Sequence, residues 1–448
     1  MTLSPHAYYN FPHLSLLKNE VSIMDESLLP RHLQPELRAA LTSARVVNII
    51  GPRQVGKTTL VRDLLSVGKF ITLDDESVLA AIEADPKGQL DALLAETKAG
   101  PLIIDEAQRS TKLALALKRI VDENRAMGQF ILTGSSNVFI SADVADSLAG
   151  RVHTMTMLPM SVAETKRMGP AKILDWASAH DRPDPLDLPK AETLSRTQYI
   201  DLIVAGGFPE IRTLEERWRQ NRYRDYVDSV VERDVAYILK IRKSDAMRRM
   251  IDQLATRVGN ELNIDELCSN ISLQRNTTDT YLDILTKLSL LRRLPAWTSG
   301  ESGRDIRQPK IHLVDTGIVA ALRSMNAQSF NIGANPTALG GMFENFVFNE
   351  MWKSLPHQIR QWRLYHWRHQ RGREIDILAE TDRTIIGFEM KTSTTVEAKD
   401  FQHLRWFRDE GPGKSRPFVG IVIYMGERIL SFGDNIFALP LSIFWSFK

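Results

Sequence analysis

Three groups of residues in this chain have the types and spacing to handle phosphate. The first is Gly51-Pro52-Arg53-Gln54-Val55-Gly56-Lys57-Thr58. It follows the apolar run Val46-Val47-Asn48-Ile49-Ile50 and precedes Thr59-Leu60-Val61-Arg62-Asp63-Leu64-Leu65, which reads as a helix. The glycines let backbone N–H groups turn inward around an anion, and the following helix aims its positive dipole end at the same place. G-x-x-x-x-G-K-[ST] in a strand–loop–helix setting points to a nucleoside triphosphate, ATP, held by residues 51–59. Lys57 would reach the β/γ oxygens and Thr58 would place its hydroxyl on Mg²⁺. A chance loop is the rival, and both flanks speak against it.

The second group is Pro101-Leu102-Ile103-Ile104-Asp105-Glu106, an apolar strand ending in two acids. In a parallel sheet such acids sit at the ligand edge beside the phosphate loop. Asp105 would hold Mg²⁺ and Glu106 would orient the attacking water, the parts phosphoryl transfer needs. The next strand, Gln129-Phe130-Ile131-Leu132-Thr133, runs into Gly134-Ser135-Ser136-Asn137. Thr133 and Ser135 are candidates to sense the γ-phosphate, or merely close a polar turn. Arg151, just past Gly150, would stabilise transition-state charge or form a structural ion pair.

The third group lies far along the chain. Gly372-Arg373-Glu374-Ile375-Asp376-Ile377-Leu378 and Thr384-Ile385-Ile386-Gly387-Phe388-Glu389-Met390-Lys391 each read as a strand, with a turn at 380–383. Paired as a hairpin, they bring Asp376 near Glu389. Glu389 and Lys391, two apart, project from one face. Two carboxylates can bind Mg²⁺, and a neighbouring ammonium can orient water or offset developing charge.

Composition frames these groups. At 448 residues the chain exceeds one ordinary core, and about three domains is the expectation. No apolar run reaches the ~18 residues of a bilayer span, and residues 1–21 lack a secretory pattern. Met24 is an alternative start. The single cysteine, Cys268, excludes an internal disulfide or a cysteine-based zinc site and reads as a small buried residue. These features favour a cytoplasmic location with no membrane partner. Net charge is only +2, so any nucleic-acid signal must lie in charge distribution. Arg217, Arg219, Arg222 and Arg224 surround Trp218 and Tyr223, and read best as a solvated face. Arg360, Arg363, Arg368, Arg371 and Arg373 interleave with Trp362, Tyr365, His366 and Trp367 and lead into the third group. Phosphate neutralisation with base stacking suits that second cluster.

Between these lie a proline-rich stretch at about 155–195 and a long helical pattern over 215–239. Residues 247–258, 263–270 and 272–288 read as helices, the second capped by Asn263, and 290–297 as a wing strand. That is the order of a winged helix-turn-helix, with Arg275, Asn276 and Thr278 as groove-facing candidates. Packing between domains is the equal alternative.

Taken together, Gly51–Thr58, Leu102–Glu106, Leu132–Ser135 and Leu148–Arg151 resemble the AAA-type ATPases of bacteria and archaea that carry a C-terminal domain of unknown function. Gly206-Gly207-Phe208-Pro209-Glu210, Val231-Glu232-Arg233-Asp234-Val235 and Asp315-Thr316-Gly317 resemble further signatures of that family. The resemblance implies an approach of Arg233 to nucleotide and permits a homo-oligomer. Asp376, Glu389 and Lys391 resemble the PD-(D/E)xK nuclease site, with Glu344 as its helical acid and Gln402 behind it; Ile375 stands where the motif name has proline. A decayed nuclease fold keeping Glu389 and Lys391 as a salt bridge is the rival.

The expected fold class is α/β: a P-loop AAA-type core with helical lid, a winged-helix-like middle and a restriction-endonuclease-like C-terminal domain. The expected boundaries are 1–25 for an extension, 26–165 for the core, 166–243 for the lid, 244–300 for the middle and 301–448 for the last domain. The expected function is ATP hydrolysis coupled to action on nucleic acid, DNA favoured, with a Mg²⁺-dependent nuclease. The alternatives are an ATP-switched DNA- or partner-binding regulator with an inactive nuclease fold, and an ATPase that remodels protein.

Overall fold

A computed structural model describes residues 28–135, 150–235, 245–299, 308–330, 336–369 and 372–448. The N-terminal extension, Ser147 to Ala149 and Arg371 lie outside the described residues. The chain divides into two compact units.

The first unit comprises residues up to 49, 58–134 and 138–155. Its helices are α1 (Leu33–Ser43), α2 (Lys57–Thr59, continued by a π-helical segment Leu60–Leu64), α3 (Glu76–Ala84), α4 (Pro86–Glu96) and α5 (Leu113–Glu123). Its strands are β1 (Val46–Ile50), β2 (Lys69–Thr72), β3 (Leu102–Asp105), β4 (Phe130–Gly134) and β5 (Val152–Thr156). They form one sheet in the order β2-β3-β4-β1-β5, and the β2–β3 and β3–β4 pairs are parallel. β3 and β4 are buried along their length, as continuous apolar runs require when both faces are covered. Leu102, Ile104, Phe130 and Leu132 pack with Leu113, Leu117 and Val121 of α5 in one core. Parallel pairing brings the C-terminal ends of β3 and β4, hence Asp105 and Thr133, to the same edge.

The second unit comprises 50–57, 135–137 and residues from 156 onward. It begins with α6 (Val162–Thr165), α7 (Ile173–Ala179), α8 (Arg196–Ala205) and α9 (Glu216–Ser229, continued as a π-helical segment Val230–Val235). Then follow α10 (Asp245–Ala255), α11 (Ile264–Ile271), α12 (Arg275–Lys287) and β6 (Leu291–Leu294). Asn263 caps α11 by accepting from the Glu266 N–H at 3.1 Å, as its position before an apolar periodic run implies. β6 pairs antiparallel with β7 (Lys310–Leu313), so the hairpin crosses the boundary expected at residue 300.

The final segment carries α13 (Thr316–Leu322), α14 (Pro336–Ser354) and α15 (Gln402–Asp409). Its strands are β8 (Arg363–Arg368), β9 (Glu374–Glu380), β10 (Ile385–Lys391), β11 (Phe418–Tyr424), β12 (Leu430–Ser431) and β13 (Ile436–Pro440). They make a mixed sheet in the order β12-β13-β11-β10-β9-β8. β9 and β10 form the expected antiparallel hairpin, while β11 lies parallel to β10. Phe401, Leu404 and Phe407 pack against one side of this sheet. Asp315 joins this segment to the helices before it. Its carboxylate accepts from Gly207 N at 2.7 Å and Gly317 N at 2.8 Å.

Candidate functional site

The phosphate-type loop folds as its glycines allow. Gly51 and Gly56 take φ of 149° and 94°, and Gln54 takes 60°. A Cβ on Gly51 would meet the Met157 carbonyl oxygen at 2.0 Å, so only glycine fits. Lys57 is buried, and its ammonium donates to Gly51 O at 3.0 Å and Pro52 O at 2.8 Å. Its charge is thereby held over the loop that encloses it. Val55 is buried and anchors the turn. Arg53 forks onto Asp234, with Nε 2.8 Å from Oδ2 and Nη2 2.7 Å from Oδ1. Ser135 Oγ lies 3.5 Å from the same carboxylate.

In the first unit, Thr58 Oγ1 donates to Asp105 Oδ2 at 3.0 Å. Thr133, fully buried, donates its hydroxyl to Asp105 Oδ1. One carboxylate is thus bracketed by two threonines, one from α2 and one from the end of β4. Glu106 follows with φ of 54°, a left-handed backbone uncommon outside glycine and found where a site fixes it. Its carboxylate accepts from Gln108. Thr59 completes the first helical turn after the loop.

Arg151 forms a two-point ion pair with Asp122, at 2.6 Å and 3.1 Å, the contact its structural alternative describes. Arg233 is exposed; its neighbour Asp234 makes the contact with the loop. The sequence carries no local sign of this, because a π-segment rotates the face that a regular helix would present.

The three C-terminal residues converge as expected. The β9–β10 register runs from Glu380 opposite Ile385 to Ile377 opposite Phe388, which brings Asp376 beside Glu389. Asp376 Oδ2 accepts from Met390 N at 3.0 Å. Lys391 Nζ is 3.5 Å from Glu389 Oε2. Glu344 reaches the same place from α14. Gln402, exposed on α15, contacts the His403 ring rather than the acids.

One participant was not foreseen. Lys310, at the start of β7, inserts its ammonium between two of the acids: 2.9 Å from Glu344 Oε1 and 3.2 Å from Asp376 Oδ1. Its side chain is 7% exposed. Burial alone would lower the lysine's proton affinity, but the Glu344 and Asp376 charges outweigh it and push the affinity well above the ordinary value. Burial pushes the Glu344 carboxyl up to about 8, with Lys310 opposing and Asp376 adding to the rise. Burial also holds Glu389 well above the carboxylate range, with Asp376 adding to the rise. Glu389 Oε1 has no hydrogen-bond partner; His403 Nδ1 lies 3.9 Å from it. Among the described residues, no group of three or more His, Cys, Asp or Glu is arranged to hold a metal ion. The expected Mg²⁺ at Asp376 and Glu389 does not fit this arrangement, in which Asp376 is paired with the Lys310 ammonium and Glu389 with that of Lys391.

The nucleic-acid candidates divide by burial. Arg363 and Arg368 are exposed, the latter 3.5 Å from Glu261. Trp362, Tyr365, His366 and Trp367 are buried, so they are core and offer no stacking face. Arg275 is exposed and pairs with Asp265 at 2.7 Å; Asn276 is exposed. Thr278 is fully buried and bonded to Gln274 O, so it does not face a groove. It points inward because the position three residues past Arg275 falls on the packed face of α12, with Leu282 and Leu285. Cys268 is half-buried against Thr278.

Comparison with known proteins adds family context. Residues 43–166 match the family model described as AAA domain. Residues 196–329 match Domain of unknown function (DUF8612), and 339–444 match Domain of unknown function (DUF4143). Uncharacterized proteins of Mycobacterium bovis and Mycobacterium tuberculosis are each 29% identical over 412 residues, covering 92% of this chain and 83% of theirs. A walker-type ATPase of Pyrococcus abyssi aligns with TM-score 0.41 at 14% identity, over 69% of this chain and 99% of that one. The AAA match, together with the loop and the Thr58–Asp105–Thr133 contacts, supports an AAA-type ATPase domain that binds and hydrolyses nucleotide.

Proposed function

We propose that this chain uses ATP hydrolysis to act on nucleic acid, DNA favoured. The observation that carries the nucleotide half is the Asp105 carboxylate held by the Thr58 and Thr133 hydroxyls. A hydroxyl and a carboxylate side by side are hard oxygen donors, which fits Mg²⁺ at Thr58 and Asp105. That ion, when bound, would supply positive charge that offsets the charge of the phosphates. Lys57 would exchange its loop carbonyls for phosphate oxygens. Loop N–H groups from 51–58 would cradle the chain, Thr133 would fix the Asp105 rotamer, and Glu106 would orient the attacking water.

Two features support the nucleic-acid half: the exposed Arg363 and Arg368 beside the C-terminal sheet, and the three helices and hairpin at 245–313 in winged-helix order. No helix of the described residues is long and apolar enough to cross a membrane. A cytoplasmic location and a homo-oligomer belong to the same reading. The test is the ATPase rate with and without duplex DNA, single strands and RNA, with Lys57→Ala as the null. Stimulation by DNA supports the reading. Stimulation by protein alone would replace it with a protein remodeller.

A second reading makes the C-terminal segment a nuclease. It is favoured by the hairpin register that brings Asp376, Glu389 and Lys391 together beside Glu344. In the observed arrangement Lys310 pairs with Glu344 and Asp376, and Lys391 with Glu389. The rival reading, a regulator built on an inactive nuclease fold, fits the same arrangement. A plasmid-cutting assay with Asp376→Asn as control separates the two.

A further inference from the structure

A pocket of about 350 Å³ opens where the chain after β6, the end of β8 and the C-terminal end of α15 meet. None of Glu344, Asp376 and Glu389 lines it. Three tryptophans, Trp297, Trp367 and Trp406, line it together with His369, and the exposed Arg368 and Glu410 stand at its rim. Trp297 and Trp367 are 3% and 4% exposed and form its inner wall. Both pack on the Phe407 ring of α15, at centroid distances of 5.5 Å and 5.0 Å. The Trp297 indole N–H donates to Glu380 at 3.0 Å, so its polar atom is satisfied inside the core. Trp406 and His369 are half-buried, with ring centroids 5.5 Å apart, and are the rings a ligand in the pocket can reach. Gly411, also in the lining, keeps space beside Trp406: a Cβ there would meet the ring carbon Cζ3 at 2.7 Å. Its φ of −90° is open to any residue, so what this glycine supplies is room.

Charge selects among the ligands that an aromatic wall could take. Bare rings would suit an organic cation, but the Arg373 guanidinium already lies over Trp406, 4.4 Å from its centroid, and Arg368 lines the same pocket. Those arginines repel a further cation. A flat ring carrying a phosphate answers both features, since the ring stacks on Trp406 and the arginines offset the phosphate. Glu410 and Arg368 offer an acceptor and a donor to the amino and carbonyl groups of a base edge. The exposed pair of Arg368 with Glu261, at 3.5 Å, is weak enough to exchange for a phosphate. Arg363 is exposed at the other end of β8, the edge strand of its sheet, about 17 Å along the strand. A polymer would use that second cation and a free nucleotide would not. We propose that this pocket takes one unpaired base of a single-stranded nucleic acid, stacked on Trp406. A paired base is held in its own stack and does not enter, so the pocket selects single strands over duplex. The inference rests on the nucleic-acid half of the proposed function and adds the strand state to it.

The experiment measures fluorescence anisotropy of three labelled DNA probes with the full-length protein. The probes are a single strand, the same strand with abasic residues in place of its nucleosides, and the corresponding duplex. The abasic strand keeps every phosphate and loses only the bases. The variants are Trp406→Ala and Trp406→Phe, each checked for fold by circular dichroism. The wild type should bind the base-bearing strand ~5–150-fold more tightly than the abasic one, the scale of one stacked base. Trp406→Ala should lose that factor while its affinity for the abasic strand and the duplex stays unchanged, and Trp406→Phe should keep most of it. A folded Trp406→Ala with wild-type affinity for the base-bearing strand would overturn the proposal. So would a wild type that binds the two strands equally, and this arm decides the matter if Trp406→Ala does not fold. Duplex binding with no dependence on bases or on Trp406 would remove this inference and leave the nucleic-acid reading standing. Binding of none of the three probes would remove both.

Discussion

Arg53 and Asp234 are joined fork to fork, with the guanidinium Nε and Nη2 each within 2.9 Å of carboxylate oxygens. Arg53 lies inside the phosphate-type loop and Asp234 at the end of the helix that follows α9. Tyr226, eight residues before Asp234, is buried with its hydroxyl held un-ionised by burial and then by the Asp234 charge. The loop is therefore already gripped by a partner 181 residues away.

That pair is measurable by a double-mutant cycle. Arg53→Ala and Asp234→Ala, singly and together, should show a coupling of ~0.5–3 kcal/mol in chemical denaturation. Asp234→Asn should also change ATP affinity, since Arg53 is released from a full negative charge. Additive single effects would show that the contact has no energetic weight.

Lys57→Ala should lower ATP turnover at least ~100-fold, the scale expected when a preorganised charge leaves a phosphate site. Thr133→Val keeps the shape of the residue but removes the hydroxyl that holds Asp105. It should cost about 10–100-fold in activity or metal affinity, with ATP binding less affected. A Thr133→Val enzyme with wild-type kcat would leave that hydroxyl only a structural part.

The raised Glu344 carboxyl gives a pH signature. Its folded value of about 8 exceeds its ordinary 4.5, so the native state holds the proton more tightly than the unfolded chain. The stability this contributes is complete below the unfolded value and is lost as pH rises through the folded one. Lys310, Asp376 and Glu374 are the charged groups that act on it. Thermal unfolding between about pH 5 and about pH 9 should show Tm falling with pH, and Glu344→Gln should flatten that fall. Parallel curves for the two proteins would contradict the assignment.

Gly317 faces the Tyr223 ring, and a Cβ there would approach the ring carbons to 2.5 Å. Gly317→Ala should destabilise the second unit by ~1–3 kcal/mol through overpacking. Tyr223→Phe in the same background should not restore it, because the clash is with ring carbons as well as the hydroxyl. An unchanged melting temperature would mean that α13 shifts freely.

If the exposed arginines meet a phosphate backbone, Arg363→Ala and Arg368→Ala should each reduce the salt dependence of DNA affinity by about one unit of slope. Thr278→Val should leave DNA affinity unchanged, because that side chain is buried. Loss of DNA binding in a folded Thr278→Val would require the helix to reorient on binding.

What the sequence determined by itself is local and backbone-driven. Glycines at 51 and 56 permit the loop, apolar runs specify β1, β3 and β4, and Asn263 marks a helix start. The short turn at 381–384 sets Glu380 opposite Ile385, so pairing as a hairpin makes Asp376 and Glu389 neighbours by spacing. Contacts set by packing left no such trace. Lys310 lies 34 residues from Glu344 and 66 from Asp376, and Arg53 lies 181 from Asp234. No periodicity relates those positions; only the way helices and hairpins dock selects which charges meet. The same docking decided which polar and aromatic side chains went inward, burying Thr278, a groove-facing candidate, and Trp367, a stacking candidate. Short-range geometry follows from covalent spacing, whereas a buried ion pair exists only once several elements have excluded water around it.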